Sequence, residues 1–215
     1  MGETAVRRLV VLDADSTLIN DEVIELLAAE AGTRDSVAEV TERAMRGEID
    51  FAQSLRDRVA TLTGLAPAAI ERVRARVTVT NGVPELIEAV HREGGQVGVV
   101  SGGFHDVLDP IAESLGVDFW LANRLERGAD SRLTGAVVGD IVDAHAKAVA
   151  LAQWARAGNF ALADTVAIGD GANDLDMMSV AGMSIAFCAK PIVRERASHS
   201  IDTRDMRLAI NLIGL

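Results

Sequence analysis

Two short apolar runs, each ending in closely spaced aspartates, limit what this chain can fold into. The first is Leu9-Val10-Val11-Leu12, followed by Asp13-Ala14-Asp15. The second is Thr165-Val166-Ala167-Ile168-Gly169, followed by Asp170-Gly171-Ala172-Asn173-Asp174. Four apolar residues in a row between Arg8 and Asp13 read as a strand buried on both faces, as in a parallel sheet. In open α/β sheets, ligands sit in the crevice beyond the carboxyl ends of the strands. Two acids this close repel each other unless a cation or a proton is shared. Asp13-Ala14-Asp15 therefore points to a metal site or an acid/base pair, with a solvated polar turn as the plain alternative. A second acidic strand tip far along the chain weighs against the turn.

The intervening sequence reads as two kinds of structure. Residues 22–31 have helical spacing, with Asn20 and Asp21 at the start and Gly32 at the end. A second helix spans about 34–46, a third begins after Asp50 with Gln53 as a capping-box partner, and a fourth starts at Pro67. Beyond Asn81-Gly82, strands and helices alternate. Gln96 to Val100 reads as a strand, Ser101-Gly102-Gly103 as a turn, and the runs either side of Arg127-Gly128-Ala129-Asp130 as a hairpin. Further on come a helix over 145–157, the second acidic tip, a strand over 184–188 and a closing helix. Alternation of this kind implies an α/β protein with a Rossmann-like parallel sheet and right-handed crossovers. The expected division is a core of residues 1–17 and 82–215 with a small helical cap, 18–81, inserted after the first strand. Leaving the strand at its acidic tip, the cap can act as a lid, with Gly82 and the Ser16–Asn20 stretch as hinge candidates.

Composition narrows the partners. A net charge of −11 argues against nucleic acid or an anionic membrane surface. Aromatic residues make up only 3% and tyrosine is absent, so stacking on bases is not expected. No apolar run approaches the roughly 18 residues that cross a bilayer, and the first residues carry no signal-peptide pattern. The single cysteine, Cys188, lies in the apolar run Ile185-Ala186-Phe187-Cys188 and reads as a core residue. One cysteine permits no internal disulfide, and a reducing cytoplasm is the natural compartment.

Four clusters bear chemistry: Asp13/Asp15, Ser101-Gly102-Gly103, Lys147, and Asp170/Asn173/Asp174. Carboxylates are the hard oxygen ligands that bind Mg²⁺. A serine hydroxyl and backbone N–H groups at a helix start cradle phosphate oxygens. Lysine adds a point charge for phosphate and carboxylate. Each signal alone is common in proteins, and a lone lysine early in a helix is usually solvated. Together and in this order, they resemble the motifs of the haloacid dehalogenase superfamily. Within it, the chain looks like the phosphoserine phosphatases over nearly its whole length. The likeness is carried by Asp13 to Glu22, by Met45-Arg46-Gly47 through Phe51 to Arg58, and by Ala186-Phe187-Cys188-Ala189-Lys190-Pro191.

The resemblance implies roles at matching positions. Asp13 would attack phosphorus, and Asp15 would give and then take the proton. One Mg²⁺ would be held by the Asp13 carboxylate, the Asp15 main-chain carbonyl and Asp170, with Thr17 and Asp174 supporting or Asp174 pairing with Lys147. Ser101, Gly102, Gly103 and Lys147 would hold the phosphoryl oxygens, and Asn173 would touch the substrate. Arg58 borders the apolar face of the third helix, where spacing alone favours a snorkelling side chain over an anion site. Glu22 would ordinarily be a solvated acid near a helix start. The resemblance reverses both readings. Glu22 would take the ammonium and Arg58 the carboxylate of a small-molecule substrate, phosphoserine, with Met45 and Phe51 lining the pocket. Hydrolysis of a different small ester, or phosphoryl transfer to an alcohol such as homoserine, is the alternative. Ala14 departs from the larger residue common between the two aspartates, and modest repacking is expected there. Many relatives carry a regulatory domain ahead of the catalytic unit. With the first strand starting within ten residues, either such control is missing or the chain is part of a longer protein.

Overall fold

The structure, a computed structural model, describes residues 7–46 and 48–215, with Met45 described in its backbone only. The Gly47 helix stop and the Met45 side chain therefore lie outside the described residues. The first strand, Leu9–Leu12 (β1), is buried at every position. It sits between Gln96–Phe104 (β2) and Thr165–Gly169 (β5), parallel to both. Phe119–Arg127 (β3) and Leu133–Val138 (β4) extend the sheet on one side, and Met183–Phe187 (β6) and His199–Ile201 (β7) on the other. The strand order is β4-β3-β2-β1-β5-β6-β7, and only β4 runs antiparallel, as the second arm of the expected hairpin. The chain winds one way from β1 through β3 and the other way from β5 through β7. The order thus reverses between β1 and β5, the position at which doubly wound sheets open a binding crevice.

Strand periodicity divides the apolar residues between two layers. Val10, Leu12, Val97, Val99, Val166 and Ile168 face one core, and Leu9, Val11, Val100 and Ala167 face the other. Val83–Arg92 (α5), His105–Leu115 (α6) and Arg207–Ile213 (α10) supply side chains to the first layer. Ala144–Ala157 (α7) and Leu175–Val180 (α8) cover the second. Among the described residues no helix is long and apolar enough to cross a membrane.

The residues after β1 form four helices: Val23–Ala31 (α1), Arg34–Met45 (α2), Phe51–Ala60 (α3) and Pro67–Arg74 (α4). Leu27, Val37, Leu55, Val59, Leu62, Ile70 and Val73 are buried among them, in a cluster continuous with the first layer of the sheet. Gly32 ends α1 in the left-handed conformation, and Asp50 caps α3 by accepting from the Gln53 N–H. The reciprocal half of the box is not made, because the Gln53 side chain turns to Asp57.

Several local readings change. Asn20 and Asp21 do not start a helix. Their side chains bind Thr78 and Thr80, stitching the two chain crossings together beside an Ile19–Val79 bridge. Left-handed backbone flanks this stitch at Ser16 (φ 59°) and Gly82 (φ 85°). A Cβ at Gly82 would strike the Arg207 backbone, so glycine is required there. Ser101-Gly102-Gly103 is not a turn but the extended end of β2. The pairing register with β3 slips between Val100 and Phe104, and the Asn123 side chain serves the free carbonyls there. Pro191–Arg194 (α9) and β7 were not anticipated, each being too short for a periodic signal. Cys188 is only half-buried at the rim of the core, with φ 47°.

Candidate active site

The sheet brings the two acidic tips side by side. Leu12 is in register with Ile168, and the Asp13 N–H donates to the Ile168 carbonyl at 2.9 Å. One carboxylate oxygen from each of Asp13, Asp170 and Asp174 lies within 4.8 Å of the others. Into this cluster comes Lys147, one turn into α7 and 0% exposed. Its Nζ donates to Asp13 Oδ1 at 2.5 Å and to Asp174 Oδ1 at 2.7 Å. Asp174 Oδ2 accepts from the Asp170 and Gly171 N–H groups at 3.2 and 3.0 Å. Both oxygens of Asp174 are thus engaged in fixing Lys147 and the Asp170 loop. A Cβ at Gly169 would overlap that carboxylate, so only glycine fits there. The Thr17 hydroxyl faces Asp170 Oδ1 at 3.5 Å.

Three carboxylates against one ammonium leave two negative charges in a largely dry volume. Burial pushes the Asp13 carboxyl well above its ordinary range, and the Asp174 charge adds to this against the pull of Lys147. Burial and Asp174 raise Asp170 to about 6. Burial alone would lower the Lys147 pKa, but Asp13 and Asp174 outweigh it and hold the ammonium charged. A hard divalent cation fits this donor set. It would meet oxygen ligands only and cancel the excess charge.

Asp15 is oriented differently. Its Oδ2 accepts from the Val23 N–H at 3.0 Å, so the first residue of α1 holds the carboxyl away from the acidic cluster. Burial, then the Glu22 charge, raises it to about 7. A carboxyl near neutrality can both give and take a proton.

These residues line a cavity of about 120 Å³, with Asp13, Asp15, Asp170, Gly171 and Asn173 on its floor beside Ser101, Gly102 and Gly103. The Ser101 Oγ accepts from the Gly103 N–H at 2.8 Å, which leaves its own proton for an anion. A Cβ at Gly102 would come within 3.0 Å of the Phe51 ring, and one at Gly103 within 3.2 Å of Asp15 Oδ1. The roof is Glu22, Ile24, Phe51, Leu55 and Arg58. Glu22 Oε1 accepts from the Ser16 hydroxyl at 2.7 Å. Arg58 donates only to the Ser54 carbonyl, with no carboxylate partner among the described residues. It therefore reaches the cavity instead of snorkelling to solvent.

Of the residues singled out from sequence, Thr17, Lys147 and Asp174 stand behind the cavity wall, and the Met45 side chain lies outside the described residues. Lys190 also lines the cavity, and its N–H donates to the Asp170 carbonyl at 3.1 Å. It carried the family likeness without an assigned role, and the available signal was its place just past a third strand tip.

The profile of haloacid dehalogenase-like hydrolases matches residues 10–179. The chain belongs to this family. Among relatives of the hydrolase, a phosphoserine phosphatase from Streptococcus thermophilus is 49% identical, over 97% of this chain and 96% of its own. A phosphoserine phosphatase from Streptomyces coelicolor is 54% identical over 97% of this chain, which spans about half (51%) of that protein's length. A solved structure of a phospho-aspartyl intermediate analogue of phosphoserine phosphatase superposes with a TM-score of 0.89. It is 43% identical and covers 96% of this chain and 98% of its own.

The raised carboxyls give the metal-free hydrolase a distinctive pH dependence. Asp15 and Asp170 keep their protons to higher pH when folded, at about 7 and about 6, than the unfolded value of roughly 3.9. Their contribution to stability is full at low pH and is lost as pH rises through those folded values. In chelator the thermal midpoint should fall by on the order of 10 °C between pH 5 and pH 8. Excess Mg²⁺ should flatten the fall. Identical curves with and without the ion would contradict the charge balance described.

Proposed function

We propose that this chain is a metal-dependent phosphoserine phosphatase, hydrolysing O-phospho-L-serine to L-serine and phosphate, the last step of serine biosynthesis. The observation that carries this reading is one cavity with three chemically distinct walls. Glu22 supplies an anion and Arg58 a cation on the helical side, opposite a floor of Asp13, Ser101 and backbone N–H groups. A phosphorylated amino acid has the matching ammonium, carboxylate and phosphate. Residues 18–81 then act as the specificity cap and 1–17 with 82–215 as the catalytic core.

Asp13 attacks phosphorus in line and forms an aspartyl-phosphate as the serine oxygen departs. Asp15, protonated in part near neutrality, gives its proton to that oxygen. The Asp15 carboxylate then takes a proton from the incoming water. That water's oxygen bonds to phosphorus, inorganic phosphate leaves and the Asp13 carboxylate is regenerated. Ser101 and the Gly102 N–H hold the phosphoryl oxygens, the Gly103 N–H orients the Ser101 hydroxyl, Lys147 fixes Asp13, and Asn173 contacts the substrate at the rim. Asp13, the Asp15 main-chain carbonyl and Asp170 would hold one Mg²⁺, which when bound would supply charge neutralisation for the phosphoryl transfer. The lone cysteine supports a cytoplasmic setting.

Phosphate release from a panel of esters, with and without Mg²⁺ and homoserine, tests the assignment. Phosphoserine should be the preferred substrate, with release lost in chelator. Phosphohomoserine appearing in place of free phosphate would replace hydrolysis by transfer. Arg58→Ala should raise KM for phosphoserine by ~10²-fold, as expected for losing a charge-assisted pair in a partly buried site. KM for p-nitrophenyl phosphate, which has no carboxylate, should change far less. Equal damage to both substrates would remove Arg58 from the specificity site.

A further inference from the structure

Asn123 sits near the middle of β3 with 1% of its surface exposed, among apolar neighbours where an amide is costly unless satisfied. Its bonds do not stay within its own strand. Nδ2 donates to the Gly102 carbonyl at 2.9 Å and to the Gly103 carbonyl at 3.3 Å. Oδ1 accepts from the Val142 N–H at 2.9 Å. Both amide protons are thus spent on the end of β2, where regular pairing with β3 lapses between Val100 and Phe104. The acceptor is spent on the residue before Asp143. That aspartate caps α7 by accepting from the Ala146 N–H at 2.9 Å, and its carbonyl receives the Lys147 N–H at 3.0 Å. One buried side chain therefore spans the gap between the Ser101-Gly102-Gly103 arm and the start of the helix that bears Lys147.

We propose that Asn123 is a positioning residue of the phosphoryl site, fixing the spacing between the loop that receives the phosphoryl oxygens and the helix that holds the nucleophile's lysine. The proposal rests on the reading that residues 101–103 cradle that group. It goes further by naming what sets their distance from Lys147. The amide contacts neither substrate nor nucleophile and acts through backbone carbonyls on one arm and a backbone N–H on the other. Asn123 makes no bond to Asp13 or Asp170, which lie just past the ends of β1 and β5, so metal affinity should be independent of it.

Asn123→Asp keeps the outline of the side chain but turns two donors into a carboxylate facing two carbonyl oxygens. We expect kcat to fall ~10²-fold for phosphoserine and p-nitrophenyl phosphate alike, the scale of an ångström-level misplacement of reacting groups. The inhibition constant of orthovanadate should rise by a similar factor, and half-saturation by Mg²⁺ should stay at the wild-type value. A variant with a lowered thermal midpoint but wild-type kcat and vanadate inhibition would reduce Asn123 to a structural role and overturn the proposal. If Asn123→Asp does not fold, hydrogen exchange on the wild-type enzyme decides. Orthovanadate should slow exchange at Gly103 and Val142 together, and an unaffected Val142 would overturn the coupling. If aryl phosphate is hydrolysed and phosphoserine is not, the substrate assignment fails, and the Asn123 test proceeds on the aryl ester.

Discussion

Asp13→Asn should lower turnover of phosphoserine by ~10⁴-fold or more, the scale seen when a covalent nucleophile is removed, while the protein stays folded. The amide cannot form the acyl phosphate, yet it keeps the shape of the side chain and an oxygen for the Lys147 ammonium, which lies 2.5 Å from Asp13 Oδ1. Its effect on stability follows from the direction of the carboxyl's shift. Burial and the Asp174 charge make ionised Asp13 unfavourable in the absence of a metal. A neutral side chain removes that penalty, so in chelator at pH 8 the variant should melt at or above the wild-type temperature. Its Mg²⁺ affinity should fall. A variant that retains turnover within tenfold of wild type would eliminate Asp13 as nucleophile.

Replacing the lysine separates the same interactions from the other side. Lys147→Met fills similar space but leaves two buried carboxylates without their cation, and among the described residues no other Lys or Arg pairs with either. Breaking one side of a buried ion pair typically costs about 3–5 kcal/mol. Here the loss should be larger at pH 8 than at pH 5, because protonation relieves the unpaired acids. Activity should fall by ~10³-fold, since Asp13 loses the group that fixes its orientation. The double variant Asp13→Asn/Lys147→Met should recover part of the lost stability and none of the activity, a coupling that calorimetry on the four proteins measures. Additive losses in stability would mean that the two side chains do not act as a pair.

The parts of this fold legible in the sequence are those in which one physical rule dominates. β1 and β5 announce themselves because an uninterrupted apolar run ends abruptly in acids, a pattern with few stable placements outside a buried sheet edge. The end of β2 reads from sequence as a turn because serine and glycine usually mark turns. In the fold they stay extended, because Asn123 supplies hydrogen bonds that the ladder does not. Nothing in the sequence around Asn123 signals that role, since a single polar residue in a strand looks like any outward-facing one. Arg58 is the instructive case at the site. Helical spacing places it at the border of an apolar face, where snorkelling and anion binding look alike. The choice depends on the cavity opposite, which is built by residues from other elements. Sequence leaves Asp174 between supporting a metal shell and pairing with Lys147; in the fold one oxygen binds Lys147, and the other accepts from the loop N–H groups, bonds that no sequence pattern signals. The short elements α9 and β7 escaped because the only buried β7 residue, Ile201, is too little to form a pattern.

Rapid quenching of the enzyme with excess phosphoserine and Mg²⁺, followed by borohydride reduction and peptide mass spectrometry, tests the central chemistry most directly. An acyl phosphate on Asp13 would be reduced to homoserine at position 13, appearing within the first turnover and absent from a chelated control. Reduction at another carboxylate, or steady phosphate release with position 13 unmodified at every time point, would contradict covalent catalysis by Asp13.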